Sequence, residues 1–274
     1  MQVQVEKWYT RLRKNYTLLR VGNKKIERHQ MIQKPMFSPQ VEWLPPEEFK
    51  DLSDYDEIAI DLETKDPELK TMGSGSVTGK GRIVGIALAV TDWSAYYPIA
   101  HEGGGNMDEK KVMDYFRTIL SLPARKIFHN AMYDVCFIRA AGLQIVGEIV
   151  DTMIAGSLVD ENRFRYDLGS MGRDYLGIGK NEAVLKETAD LWGVDAKSEM
   201  YKLPAMYVGE YAEQDADLTF KLWQEMKKQI YHEDVEDIFN LETELFPCLV
   251  DMRFLGVRVD TQAAYELKQQ LLTE

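Results

Sequence analysis

Three closely spaced apolar runs constrain the fold of this chain more than any other feature: "DEIAIDLE" (56–63), "RIVGIALAV" (82–90) and "SAYYPIA" (94–100). Each is rich in β-branched or aromatic residues and bounded by turn formers, so each predicts a strand. Only "TDW" separates the last two, which predicts a hairpin. From about Asp108 the pattern becomes helical, with apolar residues at 112, 113, 116, 119 and 120. A short strand, "ARKIFHN" (124–130), then precedes a helix, "AMYDVCFIRAAGL", stopped at Gly142. "GEIVDTMIAGSLVD" (147–160) repeats the strand-to-helix order, and "YDLGSMGRDYLG" starts from Asp167 as an N-cap and closes at Gly177. Residues 178–208 are polar and weakly periodic. Long helices follow over 209–230 and over 234–256, the second with Pro247 inside. Strands first and strand–helix alternation afterwards predict an α/β fold, a mixed sheet flanked by helices with a helical C-terminal tail.

The segments between these elements are also informative. "PMFSPQVEWLPPEEF" (35–49) reads as an extended lead-in. "TKDPELKTMGSGSVTGKGR" (64–82), rich in Gly, Ser and Lys, reads as a mobile loop. Its "GSGSVTGKG" is no phosphate-binding P-loop: Ser74 stands where the first glycine belongs, and Gly81 follows Lys80 where Ser or Thr is needed.

With 274 residues, 45% of them hydrophobic, the chain can bury a sizeable core without disulfides. Cys136 and Cys248 stand far apart and outside any C-x-x-C pair, so both are expected as small core residues in a reducing compartment. Histidines 29, 101, 129 and 232 lack zinc spacing. The aliphatic run 83–90 is too short to span a bilayer, and the N-terminus has no apolar signal region. The expectation is a cytoplasmic protein with no membrane association. The net charge of −12 is uneven, for residues 1–35 hold nine Lys or Arg against two Glu, leaving −19 for the rest. That basic arm can touch phosphates or serve as a solvated leader. The acidic body disfavours a non-specific nucleic-acid binder, though not an enzyme whose bound metal ions neutralise its carboxylates.

Carboxylates carry the chemistry. Asp61 and Glu63, two apart on a strand, share a face and repel each other unless a cation intervenes. In "FHNAMYDV", Asn130 and Asp134 are one helical turn apart, and Asp134 sits among apolar residues where an unpaired charge is costly. Tyr211 and Asp215 repeat that spacing on the long helix. Singly, each has a plain structural explanation: a solvated strand end, a buried acid paired with Arg139, a packed phenol, an acid on a wet face. Jointly they supply four carboxylates and a phenol, a donor set suited to Mg²⁺ or Mn²⁺.

This ordered set resembles the three motifs of the four-carboxylate 3′-5′ exonucleases with a tyrosine in the third motif. More narrowly it resembles the proofreading domain of family A DNA polymerases of bacteria and their phages. "AYYPIAHEGGG", "HNAMYD", "VDTMIAGSLVDENRFRYDLGSM" and "GEYAEQDADLTFKLW" share in the likeness, and "NLETELFPCLVDMRFLGVRVD" is similar to the junction into the polymerase domain. The resemblance implies an RNase H-like sheet and two ions, Mg²⁺ or Mn²⁺. Asp61 would bridge both, Glu63 and Asp215 would hold one, and Asp134 the other. Tyr211 with Glu63 would position the attacking water. Thr64, Asn130 and Tyr133 would lie beside the 3′-terminal nucleotide, and Arg165 near the substrate. The expected substrate is a single-stranded or frayed DNA 3′ end, and the products nucleoside 5′-monophosphates.

The implied organisation is a basic leader (1–40), an exonuclease domain (41–232) and a helical junction (233–274). The protein would act as a monomer, in a bacterial cell or phage-infected host. A chain stopping within a predicted helix at "KQQLLTE" suggests a fragment with its polymerase domain in cis. Two features depart from the family: the long 64–82 segment and the basic leader. An RNA-trimming exonuclease of the same superfamily and a catalytically silent DNA-binding scaffold remain alternatives. A phosphatase with an aspartate nucleophile would need Asp-x-Asp where this chain has "DLET".

Overall fold

The structure, a computed structural model, describes residues 39–273, so the expected basic leader lies outside the described residues except for its last two positions. Strands β1 (Glu57–Lys65), β2 (Arg82–Val90), β3 (Trp93–Pro98), β4 (Arg125–Phe128) and β5 (Ile149–Asp151) form one sheet in the order β3-β2-β1-β4-β5. β2 pairs antiparallel with both β1 and β3, and β4 and β5 add in parallel on the other side of β1. The hairpin between β2 and β3 turns through Asp92, whose φ of 57° is the left-handed conformation such turns require. Helices α1 (Glu109–Ser121), α2 (Ala131–Ala140), α3 (Thr152–Val159), α4 (Ala183–Trp192), α5 (Gly209–His232), α6 (Glu236–Leu255) and α7 (Thr261–Thr273) complete the fold.

Side-chain alternation gives the sheet two unlike faces. Ile58, Ile60 and Leu62 of β1 join Val84, Ile86 and Leu88 of β2 on a face of large aliphatics, packed with Val112 and Phe116 of α1 and Val135 and Ile138 of α2. Each such side chain, fully buried, contributes about 1.5–3 kcal/mol. The other face is small on β1 and β2: Ala59, Ala87 and Ala89 lie there against Ala212 and Ala216 of α5. Small residues on both partners let the long helix cross β1, β2 and β3 closely. Helix α6 joins this body through Phe239, Phe246 and Val250, whereas α7 buries no residue.

Two expectations are corrected, and one stretch left without an element gains one. Residues 64–82 are built rather than loose: β1 runs on to Lys65, and helical turns follow at Leu69–Met72 and Gly75–Thr78. Asp66 ties the second turn down by accepting the Gly75 N–H at 3.0 Å. The polar stretch 178–208 contains α4, whose Leu185, Thr188 and Ala189 are buried. Its single apolar stripe is narrow, which is why the periodicity was faint. Cys136 is a core residue as expected, but Cys248 is exposed, because α6 buries the side carrying Phe246 and Val250. Among the described residues no helix is long and apolar enough to cross a membrane.

Gly85 shows how tightly the small face is packed. A Cβ there would stand 2.0 Å from the Tyr96 hydroxyl oxygen. Gly85→Ala should therefore destabilise the fold by about 2–3 kcal/mol, the cost of overpacking a rigid core, as measured by urea unfolding. A stability within 0.5 kcal/mol of wild type, roughly the scatter of neutral substitutions, would show that Tyr96 has room to move.

Candidate active site

Asp61 and Glu63 alternate with Ile60 and Leu62 on β1, so they leave the sheet on the Ala59 side, toward α5. In the register Asp61 faces Ala87 and Glu63 faces Gly85, and the pairing slips between Glu63 and Thr64. Such a bulge re-aims the chain at the end of a strand. Beyond it Thr64 Oγ1 lies 2.8 Å from the Tyr133 hydroxyl, which also donates to Asp66 Oδ2 at 3.3 Å. Tyr133 packs in turn on Phe137, with ring centroids 5.0 Å apart.

Asp134 enters from the first turn of α2. Its Oδ1 accepts the Leu62 N–H at 3.1 Å, linking the helix to β1 between Asp61 and Glu63. The helix start is unusual. Asn130 has left-handed backbone angles (φ 63°, ψ 49°), a conformation Asn tolerates, and makes no side-chain cap. Asp151, from the end of β5, takes that role. It accepts the N–H groups of Asn130 (2.9 Å) and Ala131 (2.7 Å), and with Met153 N–H (2.8 Å) it also caps α3. One buried carboxylate thereby satisfies the starts of two helices.

Tyr211 and Asp215 lie one turn apart on α5, with Asp215 buried. Asp215 Oδ2 accepts a hydrogen bond from Lys180 Nζ at 2.5 Å, while its buried Oδ1 has no partner. The Lys180 ammonium also stands 5.3 Å from the Tyr211 ring centroid. Glu213, on the same helix, holds α5 to the sheet edge by accepting both the Tyr96 N–H and the Trp43 indole N–H at 3.0 Å. Tyr96 itself donates its hydroxyl to His101 Nε2 at 2.7 Å, and His101 Nδ1 donates to the Leu203 carbonyl at 3.0 Å. Burial pushes His101 down to about 4, so the imidazole is neutral and this tautomer is the one that satisfies both contacts.

The acids perturb one another. Burial raises the pKa of Asp61, and Asp215 raises it further. Glu63 rises through burial and then through Asp61 and Asp215, and Asp134 rises through burial and Asp61. Asp215 is raised by burial against the opposing pull of Lys180. Tyr211 is held far above its ordinary value by burial and by Asp215, Glu63 and Asp61. Asp61 is thus the acid whose charge raises both Glu63 beside it and Asp134 on α2, and it is itself raised by Asp215 on α5.

The structure therefore brings Asp61, Glu63, Asp134, Tyr211 and Asp215 into one electrostatic neighbourhood, with Thr64 and Tyr133 joined at its edge. Asn130 is exposed at the start of α2. Arg165 stands apart: it is exposed between α3 and the helical turn Leu168–Met171, and makes no hydrogen bond or ion pair with the acids. Sequence reasoning passed over Lys180, Asp151 and the Tyr96–His101 pair. Their partners are distant in sequence, so no local spacing marks them. The two glycines just before Lys180 are the only local hint of its tight loop.

Among the described residues no three Asp, Glu, His or Cys side chains already converge closely enough to hold an ion. The donor set nonetheless suits one. All donors are hard oxygens, Asp215 Oδ1 is buried without a partner, and the Lys180 ammonium takes the place of a cation on the other oxygen.

Comparison with known proteins places these observations in a family. The model for the 3′-5′ exonuclease domain of DNA polymerase A matches residues 44–231. A DNA-directed DNA polymerase of Pseudomonas phage M6 is 33% identical over 238 residues, covering 84% of this chain and 36% of the phage protein. DNA polymerase I of Pseudomonas aeruginosa is 28% identical, covering 77% of this chain and 23% of that protein. The chain thus spans about a third or less of these relatives. Among solved structures, Brucella melitensis NrnC with bound Mg²⁺ superposes with a TM-score of 0.53 at 16% identity, covering 75% of this chain and 89% of that one. The Mycobacterium smegmatis Pol1 structure with primer-template DNA and dNTP gives 0.55 at 14% identity, covering 81% and 32%. At such identities the likeness is one of fold, the RNase H-like arrangement of a mixed sheet between helices.

Asp151 offers a test of how the site is held. Asp151→Ala leaves three backbone N–H groups without their acceptor and should cost about 2–3 kcal/mol in chemical denaturation. Asp151→Asn, which keeps one acceptor oxygen, should recover part of that loss.

Proposed function

Because the chain belongs to the 3′-5′ exonuclease family of the family A DNA polymerases, we propose that it removes nucleoside 5′-monophosphates from DNA 3′ ends as the proofreading part of such a polymerase. The observation that carries this reading is the grouping of four mutually repelling carboxylates from β1, α2 and α5 beside a phenol. So many acids in one recessed corner are poorly suited to an inert scaffold and well suited to cations.

Asp61, Glu63, Asp134 and Asp215 would hold two ions, Mg²⁺ or Mn²⁺. Asp61 would be shared between them; in support, its charge raises Asp134 on α2 and Asp215 on α5 raises it in turn. When bound, the ions supply Lewis-acid activation of the attacking water and neutralise charge at the departing 3′ oxygen. The phenol of Tyr211, its pKa raised, keeps its proton at neutral pH. It therefore orients the water by hydrogen bonding and does not act as a base. Glu63, on the same side of the site, would accept from that water.

Thr64 and Tyr133 form a fixed pair against which the terminal nucleotide would rest, with Asn130 alongside. Such contacts are made to sugar, phosphate and ring faces and so tolerate any base. Arg165 would meet a phosphate farther along the strand. Beside it Phe164 is wholly exposed, at 104%, and presents an unused ring for stacking. Only an unpaired end can reach acids recessed at the end of a sheet, so frayed or single-stranded ends would be preferred. The matches to DNA polymerases favour DNA over RNA as substrate, and parallel digestion of DNA and RNA oligonucleotides separates the two.

The test is a 5′-labelled single-stranded DNA digested with Mg²⁺. Asp61→Ala and Asp215→Ala should each slow laddering by about 100- to 1,000-fold, and EDTA should abolish it. Tyr211→Phe should slow it less, by about tenfold to 100-fold. Laddering by the aspartate variants at the wild-type rate would overturn the site, and no metal-dependent hydrolysis by wild type would leave a silent scaffold.

A further inference from the structure

Lys180 is the cation that answers the acid cluster in this structure, and its position is built. Its Nζ lies 2.5 Å from Asp215 Oδ2, with the two side chains only 18% and 5% exposed. Asp61 and Glu63 attract the same ammonium. No other Lys or Arg among the described residues pairs with any of the four acids. The backbone on both sides of Lys180 is tied. Gly177, with φ 69°, turns the chain, and Ile178 N–H bonds the Gly172 carbonyl at 3.1 Å. On the far side Asn181 N–H donates to Gln214 Oε1 at 2.8 Å, next to Asp215 on α5. The aliphatic stem lies over Gly169, where a Cβ would come within 3.5 Å of Lys180 Cγ and Cδ. A lysine anchored at both flanks and along its stem is aimed by the fold.

We propose that Lys180 is a resident counter-cation that occupies Asp215 in the metal-free protein and must be displaced when a divalent ion binds there. The inference rests on the acid cluster being a metal site. An ammonium and a divalent ion cannot both take the short position on Asp215 Oδ2, and at any nearby position they repel each other. Lys180 therefore lowers the affinity for metal while keeping the metal-free acids from standing unbalanced in a buried corner. The protein would tolerate an empty site and load it only above a threshold of free ion.

The test is calorimetric titration of the full chain with MnCl₂, without nucleic acid, for wild type, Lys180→Met and Lys180→Arg. Met keeps the stem and removes the charge; Arg keeps the charge. Lys180→Met should bind Mn²⁺ about tenfold more tightly than wild type. Its thermal midpoint in EDTA should fall by about 5 °C, because an ion pair buried on one side has lost its partner. Lys180→Arg should retain weak, wild-type-like binding. Unchanged or weaker Mn²⁺ binding by a folded Lys180→Met protein would overturn the inference, for a merely structural ion pair predicts lost stability alone. Asp61→Ala serves as the control. If it binds as wild type does, or if no variant binds, the metal-site reading fails and this inference falls with it.

Discussion

Mutual repulsion among carboxylates, Asp134 and Asp215 buried and Asp61 and Glu63 half-buried, is the constraint on which this structure depends. Asp61, Glu63, Asp134 and Asp215 come from three elements; desolvation raises each of them, and acids of the cluster raise Asp61, Glu63 and Asp134 again, whereas Lys180 pulls Asp215 back down. A fold meets such a cost in one of three ways: protonation, an internal cation, or bound metal. Here an internal cation is visible in Lys180, bonded to one oxygen of Asp215 while the other has no partner. The half-satisfied aspartate is the clearest local sign that the corner is arranged for something more than packing.

The surrounding framework makes that arrangement possible. Repelling groups drift apart unless the backbone beneath them is over-determined. Asp151 fixes the start of α2, and with it Asp134, by capping two helices from one buried carboxylate. Glu213 fixes α5 against β3 and Trp43. Gly85 and the row of alanines let that helix come close, and Tyr96 fills the space opposite Glu63 with its hydroxyl held by His101. None of these residues is proposed to meet substrate. They convert an unfavourable cluster into a stationary one.

Legibility in the sequence followed the range of the interactions. The hairpin over β2 and β3, the helix start near Asp108, the Asp167 cap and the Gly177 stop were readable because each is decided within a few residues. The period of two on β1 put Asp61 and Glu63 on one side, and the period of 3.6 put Tyr211 and Asp215 together on α5. The 64–82 segment was misread as mobile because its order comes from Asp66 holding Gly75, a contact made at a distance that composition does not record. Cys248 was misplaced for a related reason, since only the docked side of α6 decides which of its residues are buried.

By itself the sequence determined most of the elements, the faces on which its acids and phenol would lie, and a likeness to an exonuclease family. These depend on local periodicity and on an ordered set of residue types, both written linearly in the chain. Tertiary structure alone decided which side of the sheet α5 would cover, that Asp151 would stand in for a helix cap, and that Lys180 would reach Asp215 across thirty-five positions. Electrostatic energy depends on distance through space and on the polarity of what lies between. Neither is set until the small face of the sheet closes against the helix.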